Sequence, residues 1–341
     1  RNYSKEKHHL KLRGKLLVND DIIVSYDNKA NIIVYSINNR EIVLKYDFYK
    51  NKFKKIKKKI YLILDIKNNA VIAADNLGYV YSINIKTKKI NWAKNFGVPF
   101  RSELKIIKNQ LFISNQDNIL YSIDTNNGKK NWQLLTESTS LKSSFKNSIV
   151  ADKNNLFFLN SNGKLYSLNH LNKKINWISS FSENISNNKF KFFEGKPITF
   201  HKDKLILSSS NQVYLVDSYT GIIIWTKQIQ NIVKPIVIDN QIFLLTKNNF
   251  LVTINFNGEV NWSRNIYDML KKNNFMKVKK VGEITNLALI NSNLQATSSE
   301  GLIINFNVKN GNIINVYDLL KEKFYFNPIY ANLKIYLANR V

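Results

Sequence analysis

Between Ser102 and Gln133, apolar and polar positions form short runs separated by turn-forming residues. Residues 104–107 and 111–114 are brief apolar stretches, residues 119–123 alternate, and residues 129–133 close on Trp132. A period of two marks a strand with one buried face. The intervening DTNNG (124–128) is turn chemistry: Asp and Asn bond their own backbone, and Gly takes positive φ. This stretch therefore predicts four short strands, the last ending on a Trp.

The same unit recurs along the chain. YSINIKTKKINW (81–92), YSIDTNNGKKNW (121–132), YSLNHLNKKINW (166–177) and YLVDSYTGIIIW (214–225) place Tyr and Trp at fixed separation, and VTINFNGEVNW (252–262) is one residue shorter. Two degenerate copies flank them, YSINNREIVLKY (35–46) with Tyr46 at the Trp position, and INFNVKNGNIIN (304–315) with Asn315 there. The chain has 5 Trp, and all of them fall at one repeat position. Four strands per roughly 40–45 residues is the arithmetic of an all-β propeller of four-stranded antiparallel blades. A Trp on the last strand can wedge between blades and fix their angle. FNPIYANLKIYLANRV (326–341) matches the first two strands of another unit. The expectation is a single propeller domain over residues 1–341 with eight blades, the last incomplete. The residues before Leu16 are expected to supply its outer strand. Residues 266–272 and 316–323 read as short helical turns on the rim, N-capped by Asp268 and Asp318.

Composition fits this picture: 44% of residues are hydrophobic, with 17 Tyr and 20 Phe. The absence of Cys excludes disulfides and thiolate chemistry. No segment approaches the roughly 20 apolar residues of a membrane-spanning helix. The net charge of +27 suits a polyanion partner, but the chain is rich in Lys, Asn and Ile throughout, as an AT-rich genome would supply. The densest basic run, residues 52–59, is expected to be an interblade loop.

Candidate chemistry is sparse. His8 and His9 are adjacent, so they face opposite ways on a strand; His170 lies in a repeat turn and His201 near a strand. No spacing matches a metal site, a phosphate loop or a nucleophile elbow. The adjacent pair Asp20 and Asp21 fits a turn. No catalytic residue, cofactor or metal is expected, and no nucleic-acid partner.

The Y-S-I-D-x-x-x-G-K-x-x-W unit resembles the tryptophan-docking repeat of quinoprotein-like (PQQ-like) propellers. Over almost its full length the chain is similar to the BamB branch, propeller lipoproteins of the outer-membrane β-barrel assembly machinery. The resemblance is carried by the order of PFRS (99–102), the short sixth copy ending at Trp262, the rim segment at Tyr267–Leu270, Ser299-Glu300-Gly301, and a seventh copy without Trp. It implies a non-enzymatic periplasmic scaffold, peripheral to the outer membrane. Such a scaffold docks on the periplasmic domains of the barrel insertase and helps unfolded barrel precursors reach it. In the family, a Leu-x-Leu-Arg loop entering blade four contacts the insertase. Thr139-Ser140-Leu141-Lys142 stands there: Leu141 matches, Lys142 keeps the charge, and Thr139 departs. A second family loop carries acids before a Pro; here Glu194 precedes Pro197. Leu141, Lys142 and Glu194 are therefore the candidate partner-binding residues. The family's lipid anchor sits on an N-terminal Cys, so association with the outer membrane would run through an anchor not in this chain. Two other functions suit such a repeat: a quinoprotein-like enzyme or ligand binder using the central channel, and a polyanion-binding propeller.

Overall fold

The computed structural model describes residues 12–50, 59–138, 146–181, 193–209, 211–272, 281–290, 292–318, 329–331 and 334–336. Seven four-stranded antiparallel sheets follow one another, each built from consecutive strands in chain order. They are the blades of a β-propeller, occupying residues 17–46, 62–95, 105–134, 148–180, 199–227, 236–265 and 284–318. The pair Ile329–Ala331 and Lys334–Tyr336 forms the start of an eighth sheet. It lies beside Leu17–Asn19, the first strand of blade 1, where a ring closes. The outer-strand clasp expected from residues before Leu16 falls mostly outside the described residues, as do most of the basic run at 52–59 and both His8 and His9.

Strand position in the blade sets burial. First strands of successive blades approach one another around the axis and are partly exposed. Second and third strands are sandwiched between neighbouring blades. Leu111, Phe112, Ile113, Phe157, Phe158 and Phe243 are fully buried there. The repeat tyrosines Tyr81, Tyr121, Tyr166 and Tyr214 are buried as well. Fourth strands alternate between the interblade seam and solvent.

The third blade shows why these residues form these strands. Its strands are Lys105–Ile107, Gln110–Ser114, Leu120–Asp124 and Lys130–Leu134. The third begins one residue later than the alternation predicts. Asn115 Oδ1 accepts the backbone N–H groups of Asp117 and Ile119 at 3.0 and 2.9 Å, which closes Ile119 into the turn. Asp27, Asp75 and Asn160 cap the equivalent hairpins of blades 1, 2 and 4 in the same way. Asp20 and Asp21 do form a turn between strands. Asp21 accepts the Ser36 hydroxyl at 2.8 Å and the Asn38 N–H at 2.7 Å.

Three expectations need correction. The first repeat copy is shifted by two residues. Val34, not Tyr35-Ser36, pairs across the fourth-strand bulge, and it pairs with Leu44 as Ser82 pairs with Trp92. The Trp position of blade 1 is therefore the buried Leu44, not Tyr46. A slip of two leaves every side chain on its original face, so the alternation gave no warning. The helix at Ile266–Lys272 is capped by Asn265, whose Oδ1 accepts the N–H groups of Tyr267 and Asp268 at 3.0 and 3.2 Å. Asp268 instead lies inside the first turn, where its charge complements the helix dipole. Residues 316–318, expected to open a second helical turn, instead end the fourth strand of blade 7, and the rest of that turn after Asp318 lies outside the described residues.

Candidate partner-docking site

The strand geometry of the blades sorts their turns onto two faces. Turns joining strands 1–2 and 3–4 lie at one end, and the 2–3 hairpins lie at the other. Chain crossing from a fourth strand to the next first strand also runs at the hairpin end, so both candidate loops belong to that face.

Leu141 and Lys142 lie outside the described residues, but both stems of their loop are described. On the incoming side, Thr136 Oγ1 donates to the Asn118 carbonyl at 2.7 Å. The Glu137 carbonyl accepts Nδ2 of Asn118 at 3.1 Å and Nδ2 of Asn162 at 3.0 Å. The Glu137 carboxylate pairs with Lys164, and that hydrogen bond raises the Lys164 pKa. On the outgoing side, Asn147 is buried, and its Nδ2 donates to Ser114 Oγ at 2.8 Å and Asn118 Oδ1 at 3.1 Å. Asn118 Oδ1 also accepts Ser161 Oγ at 3.0 Å. Asn118, with φ +61, thus joins the hairpins of blades 3 and 4 and both ends of the loop. A carboxamide suits this role because it donates and accepts at once.

Glu194 is exposed and stands beside the same blade 4 hairpin. Its neighbour Phe193 is buried, with its N–H bonded to the Ser161 carbonyl at 3.2 Å. A Cβ on Gly163 would stand 2.9 Å from the Phe193 ring, so the close packing requires glycine there. The loop stems and Glu194 therefore meet around one hairpin, residues 160–163. The anchoring residues Asn118, Asn147 and Ser161 went unnoticed in the sequence. Their signal was faint: Asn and Ser clustered at successive hairpins, indistinguishable from ordinary turn composition.

Elsewhere, polar groups gather at the axis. Lys15 and Glu103 form an ion pair at 3.6 Å between blades 1 and 3. Desolvation pushes the pKa of nearby Asp65 up and that of Lys234 down. His170 is buried, with Nε2 3.1 Å from the Lys153 carbonyl, and His201 ends the first strand of blade 5. Among the described residues, no group of three or more His, Asp or Glu side chains could hold a metal ion.

A family model described as outer membrane protein assembly factor BamB matches residues 63–264. The chain belongs to the BamB family. Among solved structures, BamB from Moraxella catarrhalis superimposes with a TM-score of 0.73 at 15% identity, over 97% of this chain and 94% of that one. A computationally designed protein, Ika8, gives 0.67 at 13% identity, over 98% and 95% of the two chains. Quinohemoprotein alcohol dehydrogenase from Comamonas testosteroni gives 0.63 at 9% identity, over 90% of this chain and 67% of that one. At such identities the likeness is one of fold, and this fold serves both an assembly factor and an enzyme. No curated protein matches the sequence. No helix among the described residues is long and apolar enough to cross a membrane.

Proposed function

We propose that this BamB-family chain is a non-enzymatic scaffold of outer-membrane protein assembly, working in the periplasm at the outer membrane. It docks on the periplasmic domains of the barrel insertase through the blade 4 hairpin face. One observation carries the reading: both stems of the Leu141 loop and the Glu194 segment are anchored to one hairpin. Anchored stems beside Glu194 suit a docking loop with an apolar residue and charges of both signs, as binding anchors require. Leu141 supplies the apolar contact, Lys142 a cation and Glu194 an anion. Unfolded barrel precursors are a second partner, and the open edges of the fourth strands are where such a strand would pair.

A pull-down from detergent-solubilised envelope, with this chain as bait, tests the reading. Recovery of the insertase by the parent but not by Leu141→Asp or Glu194→Lys supports both function and site. Recovery by all three keeps the function and discards the site. Absence of the insertase with folded parent protein removes the assembly reading and favours the enzyme or polyanion alternatives.

A further inference from the structure

The face opposite the proposed docking site carries a concentration of unpaired positive charge. In blades 2 to 4, the 3–4 turns expose Lys86, Lys88 and Lys89, then Lys129, then Lys173 and Lys174. The 1–2 turns of blades 3, 4 and 5 add Lys108, Lys153 and Lys202, all exposed. None of these lysines makes an ion pair with a described residue. Two carboxylates in the same 1–2 turns are already committed. Asp152 accepts the N–H groups of Asn154 and Asn155 at 2.7 and 2.5 Å, and Asp203 pairs with Lys204 at 2.6 Å.

Within these blades the turns themselves differ in charge. The 2–3 hairpins of the same four blades, read as NLG, NQDNI, NSNG and the described residues of 209–212, contain no Lys or Arg. Turn geometry does not require lysine either, because Asn126, Asn127 and Asn172 occupy neighbouring turn positions.

Exposed apolar side chains stand on this same face. Leu171 is 62% exposed in the 3–4 turn of blade 4, and Tyr219 and Ile222 are 73% and 65% exposed in that of blade 5. The two turns adjoin. Trp177 Nε1 of blade 4 donates to the Ser218 carbonyl at 3.0 Å, and Ser179 Oγ donates to the Gly221 carbonyl at 2.7 Å. Cations spread over four blades of one face, with apolar tips projecting among them, match an extended anionic surface with an apolar layer beneath. That is the chemistry of an anionic lipid headgroup layer.

We propose that the 1–2 and 3–4 turns of blades 2 to 5 form a docking surface for anionic phospholipid membranes. The inference goes beyond the scaffold reading and does not depend on it, since no insertase enters its test. Docking in this way turns the 2–3 hairpin face, with Glu194 and the Leu141 loop stems, away from the bilayer. Lysines contribute long-range attraction, and Leu171, Tyr219 and Ile222 contribute apolar contact at the headgroup boundary.

The test is co-sedimentation of the full chain with vesicles of phosphatidylcholine alone, and with vesicles containing phosphatidylglycerol. The variant Lys86→Gln/Lys89→Gln/Lys129→Gln/Lys153→Gln/Lys174→Gln removes five charges while avoiding turn lysines at positive φ. A control of equal net charge changes Lys94, Lys146, Lys247, Lys271 and Lys272 to Gln. The expected result is binding to phosphatidylglycerol vesicles only, weakened by salt, about tenfold or more weaker for the turn variant, and near parental for the control. Equal loss in both variants would show diffuse charge and overturn the surface, as would unchanged binding by the turn variant. So would equal affinity for both vesicle types, no binding at all, or tighter binding to duplex DNA than to the vesicles. Unfolding profiles matching the parent ensure that a loss reflects the surface and not the fold.

Discussion

Gly128, in the 3–4 turn of blade 3, lies directly against the indole of Trp92 from blade 2. A Cβ on Gly128 would come within 2.4 Å of Trp92 Cε3. The Trp92 N–H meanwhile donates to the Thr125 carbonyl of the same turn at 2.8 Å. Gly221 and Trp177 repeat the arrangement between blades 4 and 5, with a Cβ only 2.5 Å from the ring. The repeat glycine thus serves the tryptophan of the preceding blade, because only a residue without Cβ lets the indole reach the turn carbonyl.

Gly128→Ala is expected to destabilise the fold by about 2–4 kcal/mol, from positive φ plus overpacking against Trp92. Gly97→Ala is the matched control: its φ is +75, near the +71 of Gly128, yet a Cβ there meets nothing within 4 Å. It should cost only about 1 kcal/mol. Denaturant unfolding of both variants checks the prediction, and equal losses would refute the contact.

Asn at the fourth-strand bulge and Ser on the third strand act as a pair. Asn91 donates to Ser82 at 3.1 Å, Asn131 to Ser122 at 3.4 Å and Asn176 to Ser167 at 3.2 Å. In blades 1 and 5 both positions are apolar together, as Val34 with Val43 and Leu215 with Ile224. Ser82→Val removes the acceptor of Asn91 and is expected to cost about 1–2 kcal/mol. Adding Asn91→Val should recover a large part of that loss. A double-mutant cycle reads the coupling, and additive losses would show that the two positions are independent.

Asp75 is fully buried and accepts the Tyr49 hydroxyl and the N–H groups of Leu77 and Tyr79. Desolvation outweighs these bonds and raises its pKa. Burial therefore favours the protonated form. Its stabilising contribution is fully present below the ordinary Asp range, near about 3.9, and is lost as pH rises through the elevated folded value. Asn115 and Asn160 cap equivalent hairpins, so Asp75→Asn keeps the cap and removes the titration. As pH falls from neutral, parental stability should improve relative to Asp75→Asn. A pH-independent difference in melting temperature would contradict this assignment.

At the joint between blades 3 and 4 the repeat glycine is replaced. Lys173 holds φ +64 where Gly128 and Gly221 stand in other blades, and the Trp132 indole N–H of the preceding blade has no partner. Lys173→Gly relieves a left-handed conformation that costs an L-residue about 1–2 kcal/mol, partly offset by glycine's greater chain entropy. A melting temperature higher by about 1–3 °C is expected by scanning calorimetry.

The chain's own order of residues determined the four-strand unit, its strand ends to within a residue in blade 3, and the structural duty of the tryptophans. These rest on local rules, namely alternation, turn chemistry and spacing, which act within a few residues. Only the tertiary structure decided the register of blade 1, because a two-residue slip preserves alternation and Leu44 then replaces an aromatic at the seam. It alone showed that Gly128 answers to Trp92 and that Asn118 ties two hairpins to the stems of the Leu141 loop. It also gathered lysines scattered over residues 86–202 onto one face. Each of these joins residues far apart in sequence, and blade stacking fixes their distances where no local pattern can record them.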